Sequence, residues 1–257
     1  DADLGFAQDS RWPVADASRN LGHESAVGHV TGRALYVDDT AQRRKMLDCW
    51  PVCAPHARAK ILRRDATKAR QALGIHAVLL AEDIPGENNT GPVRHDEPLL
   101  AQDEVLFHGQ MVAWVVGESL AACRAAAALV EVDYEPLPPI IGLPAAIAAG
   151  SYHTEPHALK RGDAATALAT APARFGGVFE FGGQEHFYLE THAVWAEAGE
   201  EGSVLVNSST QHPSEIQAIV AEVLHLARHQ VVVQAPRMGG GFGGKETQGN
   251  GFAALVA

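Results

Sequence analysis

The stretch Arg237-Met238-Gly239-Gly240-Gly241-Phe242-Gly243-Gly244-Lys245-Glu246 constrains this chain more than any other. Val231-Val232-Val233 ahead of it reads as a strand, and an apolar, helix-like pattern beginning at Thr247 follows it. Every ordered glycine loses more backbone freedom than another residue would. Five of them around one Phe point to positive φ angles, or to a backbone lying against a ligand. A strand, a glycine loop and a helix in that order gather unpaired N–H groups at a helix N-terminus, where anions and oxo groups bind. A tight turn with close packing is the plainer reading of the same residues.

A phosphate-binding loop is the nearest rival. Gly239-x4-Gly244-Lys245 fits its opening, but Glu246 stands where a Ser or Thr hydroxyl should hold Mg²⁺, and Thr247 arrives one residue late. A Rossmann loop fits no better, because Gly241-x-Gly243 lacks the third small residue. A second polar string, Gly182-Gly183-Gln184-Glu185-His186-Phe187-Tyr188-Leu189-Glu190-Thr191-His192, again brings glycines beside groups that donate and accept. Strand alternation would put His186, Tyr188, Glu190 and His192 on one face. Satisfied or surface histidines explain that face more simply than a metal site does.

A chain of 257 residues with 46% hydrophobic and 20% charged residues can bury two ordinary cores. Its net charge of −11 argues against a grip on nucleic acid or on anionic lipid. Three scattered cysteines, Cys49, Cys53 and Cys123, form no disulfide framework and fit a reducing compartment. Cys49, Cys53 and His56 have no fourth ligand nearby, so idle thiols are expected rather than a metal centre. The acidic, polar start lacks the basic and apolar regions of a signal peptide, and no apolar run is long enough to span a membrane. A cytoplasmic protein is the expectation.

Residues 1–22 read as an extended arm, 23–150 as one α/β domain and 151–257 as the first part of another, an α+β arrangement overall. In the first domain, Ala34–Val37 precede an Asp38-Asp39 turn, and Ala77–Leu80 and Met111–Gly117 are buried strands. Ser119 caps an Ala-rich helix with Leu120, Cys123, Ala127 and Val130 on one face, and Val130–Tyr134 alternates as a half-buried strand. A short helical turn follows over 143–149. In the second domain Val178–Phe181 and Val204–Val206 read as strands. Ser214 and Gln217 look like a capping box for a helix with Ile216, Val220, Val223 and Leu224 on its apolar face. The apolar ending at Ala257 falls inside a helical pattern, so further residues or another chain are expected to complete the domain.

Together the Gly182–Thr191 and Arg237–Glu246 strings resemble the two N-terminal signatures of the molybdopterin subunit of the xanthine oxidase family. Gly28–Asp39 and Val132–Pro138 are similar to earlier parts of the same subunit. The resemblance runs from about residue 23 to 257. It implies an α/β hammerhead domain followed by the start of a molybdopterin-binding domain. It also implies that Gln184 and the backbone N–H of Phe242 hydrogen-bond the ligands of molybdenum, and that Gly240, Gly241 and Gly243 let the loop approach the cofactor. Glu246 would contact a purine substrate during hydroxylation of hypoxanthine or xanthine; close relatives that act on aldehydes usually lack this Glu. The general-base Glu, a second purine-binding Arg and an aromatic clamp would lie beyond residue 257. The [2Fe–2S] clusters and FAD that carry electrons to NAD⁺ would lie in partner domains or subunits, as would the remaining C-terminal part of the molybdenum subunit.

Overall fold

The computed structural model describes residues 23–91, 93–246 and 250–257. The arm expected over 1–22 and the helix start expected at Thr247 lie outside the described residues. The chain divides into two compact units, one ending at Leu35 and one running from Tyr36 to Ala257. In the first, helix α1 (Ala26–Val30) is closed by the Thr31 and Arg33 amides, which donate to Val27 and Gly28.

The second unit contains, in chain order, α2 (Val37–Ala41), β1 (Asp48–Cys53), β2 (Ala59–Asp65), α3 (Thr67–Arg70), β3 (Ile75–Leu79), β4 (Glu104–Val105), β5 (Met111–Gly117), α4 (Leu120–Ala127), β6 (Glu131–Pro136), α5 (Leu143–Ala148), α6 (Ala164–Thr170), β7 (Val194–Ala198), β8 (Val204–Ser208), α7 (Pro213–Leu224), β9 (Val231–Gln234) and α8 (Asn250–Val256). They make three small sheets with strand orders β1-β5-β3, β4-β2-β6 and β7-β8-β9. The first two are antiparallel. In the third, β7 runs antiparallel to β8, while β8 and β9 are parallel and joined by α7 as a crossover helix.

β5 is the continuous apolar run that a central strand requires, and both its faces are covered. On one face Ala113 and Val115 meet Ala69, Cys123 and Ala126 from α3 and α4; on the other Val112 meets Ala54, Ala101 and Val105. The Ser119 hydroxyl accepts from Ala122 N and starts α4 as expected, although Leu120 stays exposed. α7 buries Ile216, Val220 and Val223 completely, against Val204, Val206 and Val231 of the third sheet and against Phe252 of α8. A further cluster joins the sheets: Leu99, Leu100, Ile219, Val223 and Phe252 pack together, and Trp114 of β5 stacks on Phe252 with ring centroids 4.1 Å apart.

Three local expectations are corrected. Asp38 and Asp39 lie in the first turn of α2 rather than in a turn, with the Asp39 carboxylate accepting from Tyr36 N at 2.9 Å. Ser214 does not cap α7: His212 precedes it, and Gln217 instead donates to Arg228 O and Val231 O across to β9. Val178–Phe181 forms no strand, and Phe179 is 89% exposed. A strand needs a neighbour for its N–H and C=O groups, and none of the described strands lies alongside.

Candidate functional site

The two glycine strings, about fifty residues apart in sequence, meet through one buried knot. The Glu190 carboxylate accepts from Gly239 N at 2.6 Å and from the Ser209 hydroxyl at 2.6 Å, and Glu190 N donates to Gly239 O. The Lys245 ammonium, only 1% exposed, donates to Glu190 O at 2.6 Å and to Ser209 Oγ at 2.7 Å, with the Glu190 carboxylate at 3.5 Å. It also stands 4.6 Å from the centre of the Tyr188 ring. A charge this deep is tolerable only when paired and hydrogen-bonded, and both conditions are met here. The geometry removes the phosphate-loop reading: the lysine that would hold a phosphate points into the protein and its protons are taken.

The loop between Gly239 and Lys245 wraps around the side chain of Gln211, whose Oε1 accepts from Gly243 N at 2.8 Å and from Lys245 N at 3.2 Å. Gly244 N closes the turn onto Gly241 O at 2.7 Å. Positive φ is needed at Gly240 (+99°) and Gly243 (+90°), which explains glycine there. Phe242 itself adopts φ +54°, a left-handed conformation that costs a non-glycine residue roughly 1–2 kcal/mol. The surrounding hydrogen bonds hold it there, with its ring 74% exposed. Among the described residues the Phe242 N–H meets no acceptor, whereas the amides of Gly239, Gly243, Gly244 and Lys245 are all committed.

Gln184 is exposed on an extended segment, and its carboxamide makes no hydrogen bond to the described residues. It stands two residues, at most about 7 Å of chain, before His186, whose Nδ1 lies 3.0 Å from where a Cβ on Gly244 would sit. Glu246 is exposed, and its backbone carbonyl is tied by the Thr210 hydroxyl at 3.1 Å. The expected single face of His186, Tyr188, Glu190 and His192 is not a strand face. Tyr188 and His192 pair through a 2.6 Å contact between hydroxyl and Nε2, and Glu190 turns inward to the knot. Partial burial and the Lys245 charge lower the His192 pKa, with Glu185 opposing. The cysteines form no metal cluster among the described residues. Ser209 and Gln211 escaped the sequence reading, and Glu190 entered it only as part of a strand face, because nothing local marks a polar residue whose partners lie 19 to 49 residues away.

The loop faces open space rather than an enclosed cavity. A cavity of about 1080 Å³ runs along β1 and β7, beside Trp50, Trp114 and Trp195, and does not include it.

Residues 31–138 match the model of the aldehyde oxidase and xanthine dehydrogenase a/b hammerhead domain, and residues 149–257 match the molybdopterin cofactor-binding domain. The chain belongs to the aldehyde oxidase and xanthine dehydrogenase family. Within that family it is 42% identical over 252 residues to the xanthine dehydrogenase of Drosophila pseudoobscura pseudoobscura, covering 96% of this chain and 19% of the relative. It is 43% identical over 237 residues to that of Dictyostelium discoideum, covering 91% and 17%. The chain thus spans about a fifth of the length of the curated relatives it matches. Among solved structures it is similar to the aldehyde oxidoreductase of Desulfovibrio gigas, with a TM-score of 0.81 at 27% identity over 91% of this chain and 28% of that one. The quinoline 2-oxidoreductase of Pseudomonas putida 86 follows with a TM-score of 0.77 at 26% identity, over 92% and 32%. The α+β architecture, a hammerhead domain leading into a molybdopterin-binding domain, is that of the family.

An uncommitted amide at Phe242, flanked by glycines on both sides and held by buried charges from behind, suits an oxo or sulfido ligand that needs fixed donors. The residues present fit the cofactor that this domain implies.

Proposed function

We propose that this chain forms one wall of the molybdenum–molybdopterin centre of a xanthine dehydrogenase. The observation that carries the reading is the uncommitted Phe242 N–H, held between the committed amides of Gly239 on one side and of Gly243, Gly244 and Lys245 on the other. Molybdopterin-bound molybdenum supplies two-electron redox chemistry that the side chains cannot. The chain's own part is to bind and orient. The Phe242 amide and the Gln184 carboxamide would hold the metal's ligands, and Gly240, Gly241 and Gly243 would keep side chains out of the approach. Glu246 offers its carboxylate to the purine and shares a proton with a ring nitrogen as charge develops there. Water would be the oxygen source, and [2Fe–2S] clusters and FAD in partner domains or subunits would supply the path for electrons to NAD⁺. The rest of the molybdenum subunit closes the site, in a protein of the cytoplasm. No helix among the described residues is long and apolar enough to cross a membrane.

The 42–43% identity to xanthine dehydrogenases supports a purine substrate. A second reading, an aldehyde or another N-heterocycle, draws on the structural likeness to the aldehyde and quinoline oxidoreductases. The deciding experiment uses the full-length protein that carries this chain, produced in a host that makes the cofactor. Metal analysis and initial rates on xanthine and on an aromatic aldehyde are measured together. About one molybdenum per chain and faster turnover of xanthine are expected. Absence of molybdenum would sink the reading, and preference for the aldehyde would replace it with the second.

A further inference from the structure

Gln211 sits just past the end of β8 and is built into the glycine loop from inside. Its backbone N donates to Lys245 O at 2.8 Å, so the main chain of the two segments is paired at that point. Its Oε1 accepts from Gly243 N and Lys245 N, two amides on the far side of Phe242. The contact is also steric. A Cβ on Gly241 would stand 2.6 Å from the same oxygen, so residue 241 must be glycine for the carboxamide to enter. The loop is therefore moulded around one oxygen atom.

We propose that Gln211 is the positioning residue for the Phe242 amide. By accepting from Gly243 N it fixes the peptide plane that follows Phe242, and by accepting from Lys245 N it fixes the loop's exit. Glu190 fixes the entry through Gly239 N. With both ends held, Phe242 is kept at φ +54°, and its N–H is left to donate to a ligand. The carboxamide itself touches no ligand; it acts through the loop. This inference rests on the reading of Phe242 as a partner of the metal centre.

The test compares three variants of the full-length protein. Gln211→Leu removes the acceptor at similar volume. Gln211→Glu keeps an oxygen at the same reach. Gly241→Ala leaves Gln211 present but drives its carboxamide out of the loop. In cofactor-free protein, amide hydrogen exchange of the 239–246 segment is measured first. Loss of one acceptor should speed exchange at Gly243 and Lys245 by about tenfold or more in Gln211→Leu and Gly241→Ala. Gln211→Glu should stay near wild type. In the molybdenum-loaded protein, Gln211→Leu should change the Mo(V) EPR line shape and lower kcat with KM nearly unchanged, and Gln211→Glu should restore both.

Unchanged exchange in Gln211→Leu would overturn the inference. So would an EPR signal identical to wild type, or a Gln211→Glu variant as impaired as Gln211→Leu. If Gln211→Leu does not fold, the exchange and EPR of Gly241→Ala decide in the same way. Wild-type protein without molybdenum would instead refute the metal-centre reading, and the exchange data would still test the clamp by itself.

Discussion

The Lys245 ammonium donates to the backbone carbonyl of Glu190 at 2.6 Å while the Glu190 carboxylate receives the Gly239 amide, so one buried ion pair ties together both glycine-bearing strings. Neither string could hold its shape alone, since glycines and an extended segment carry little local preference.

That pair yields the first prediction. Lys245→Met leaves the Glu190 carboxylate buried and short of a cation. Breaking one side of a buried pair costs about 3–5 kcal/mol. The urea midpoint of the folded protein should fall accordingly. A loss below about 1 kcal/mol would mean that the pair is effectively solvated and does not organise the loop.

Glu246 gives a second. Glu246→Val removes the carboxylate proposed to meet the purine and leaves the knot untouched, because only its backbone carbonyl is used by Thr210. The specificity ratio, kcat/KM for xanthine over that for an aromatic aldehyde, should drop by a factor of about 100 or more, the scale of a lost general acid–base contribution. Stability should stay within about 0.5 kcal/mol of wild type. An unchanged ratio removes Glu246 from substrate recognition.

The pH dependence of stability follows from His192. Its folded pKa lies below the ordinary 6.5, first because of partial burial and then because of the Lys245 charge. The unfolded chain therefore takes up a proton more readily than the folded one. Stability is full above 6.5 and declines as pH falls from there toward the lower folded value. Urea titrations from about pH 8 to about pH 5 should show a shallower decline in His192→Gln than in wild type. Parallel curves would show that His192 titrates equally in both states.

Thiol chemistry offers a fourth. Burial pushes the Cys49 thiol up to about 11, with the neighbouring Trp114 opposing. Cys123 is fully buried, with its thiol donating to Asp48 O, and its pKa is also raised by burial. Cys53 is exposed at the end of β1. Iodoacetamide on the native protein should modify Cys53 at least about tenfold faster than the other two. Peptide mass analysis after a time course reads this out, and equal rates would contradict the burial.

The strands β5, β8 and β9, the Ser119 cap and the buried face of α7 could be read from sequence, because each is set by residues close in the chain. The strand expected at Val178–Phe181 has the right side chains and no neighbour, and pairing is decided by distant segments. Gln217 illustrates the same limit: its amide has a local role available at the helix start, yet it bonds carbonyls 11 and 14 residues on. At the site, the glycine strings stood out by composition. The atoms that shape them, from Glu190, Ser209 and Gln211, are ordinary polar residues until folding brings them within 3 Å of the loop.

The stack of Trp114 on Phe252 has a practical outcome. Its two rings come from β5 and α8, and Leu99, Leu100, Ile219 and Val223 close around them. A cut between residues 138 and 149, where the two family domains abut, would leave each half with a bare aromatic or aliphatic face. Separately expressed halves should aggregate, whereas the same halves made together in one cell should find each other and stay in solution.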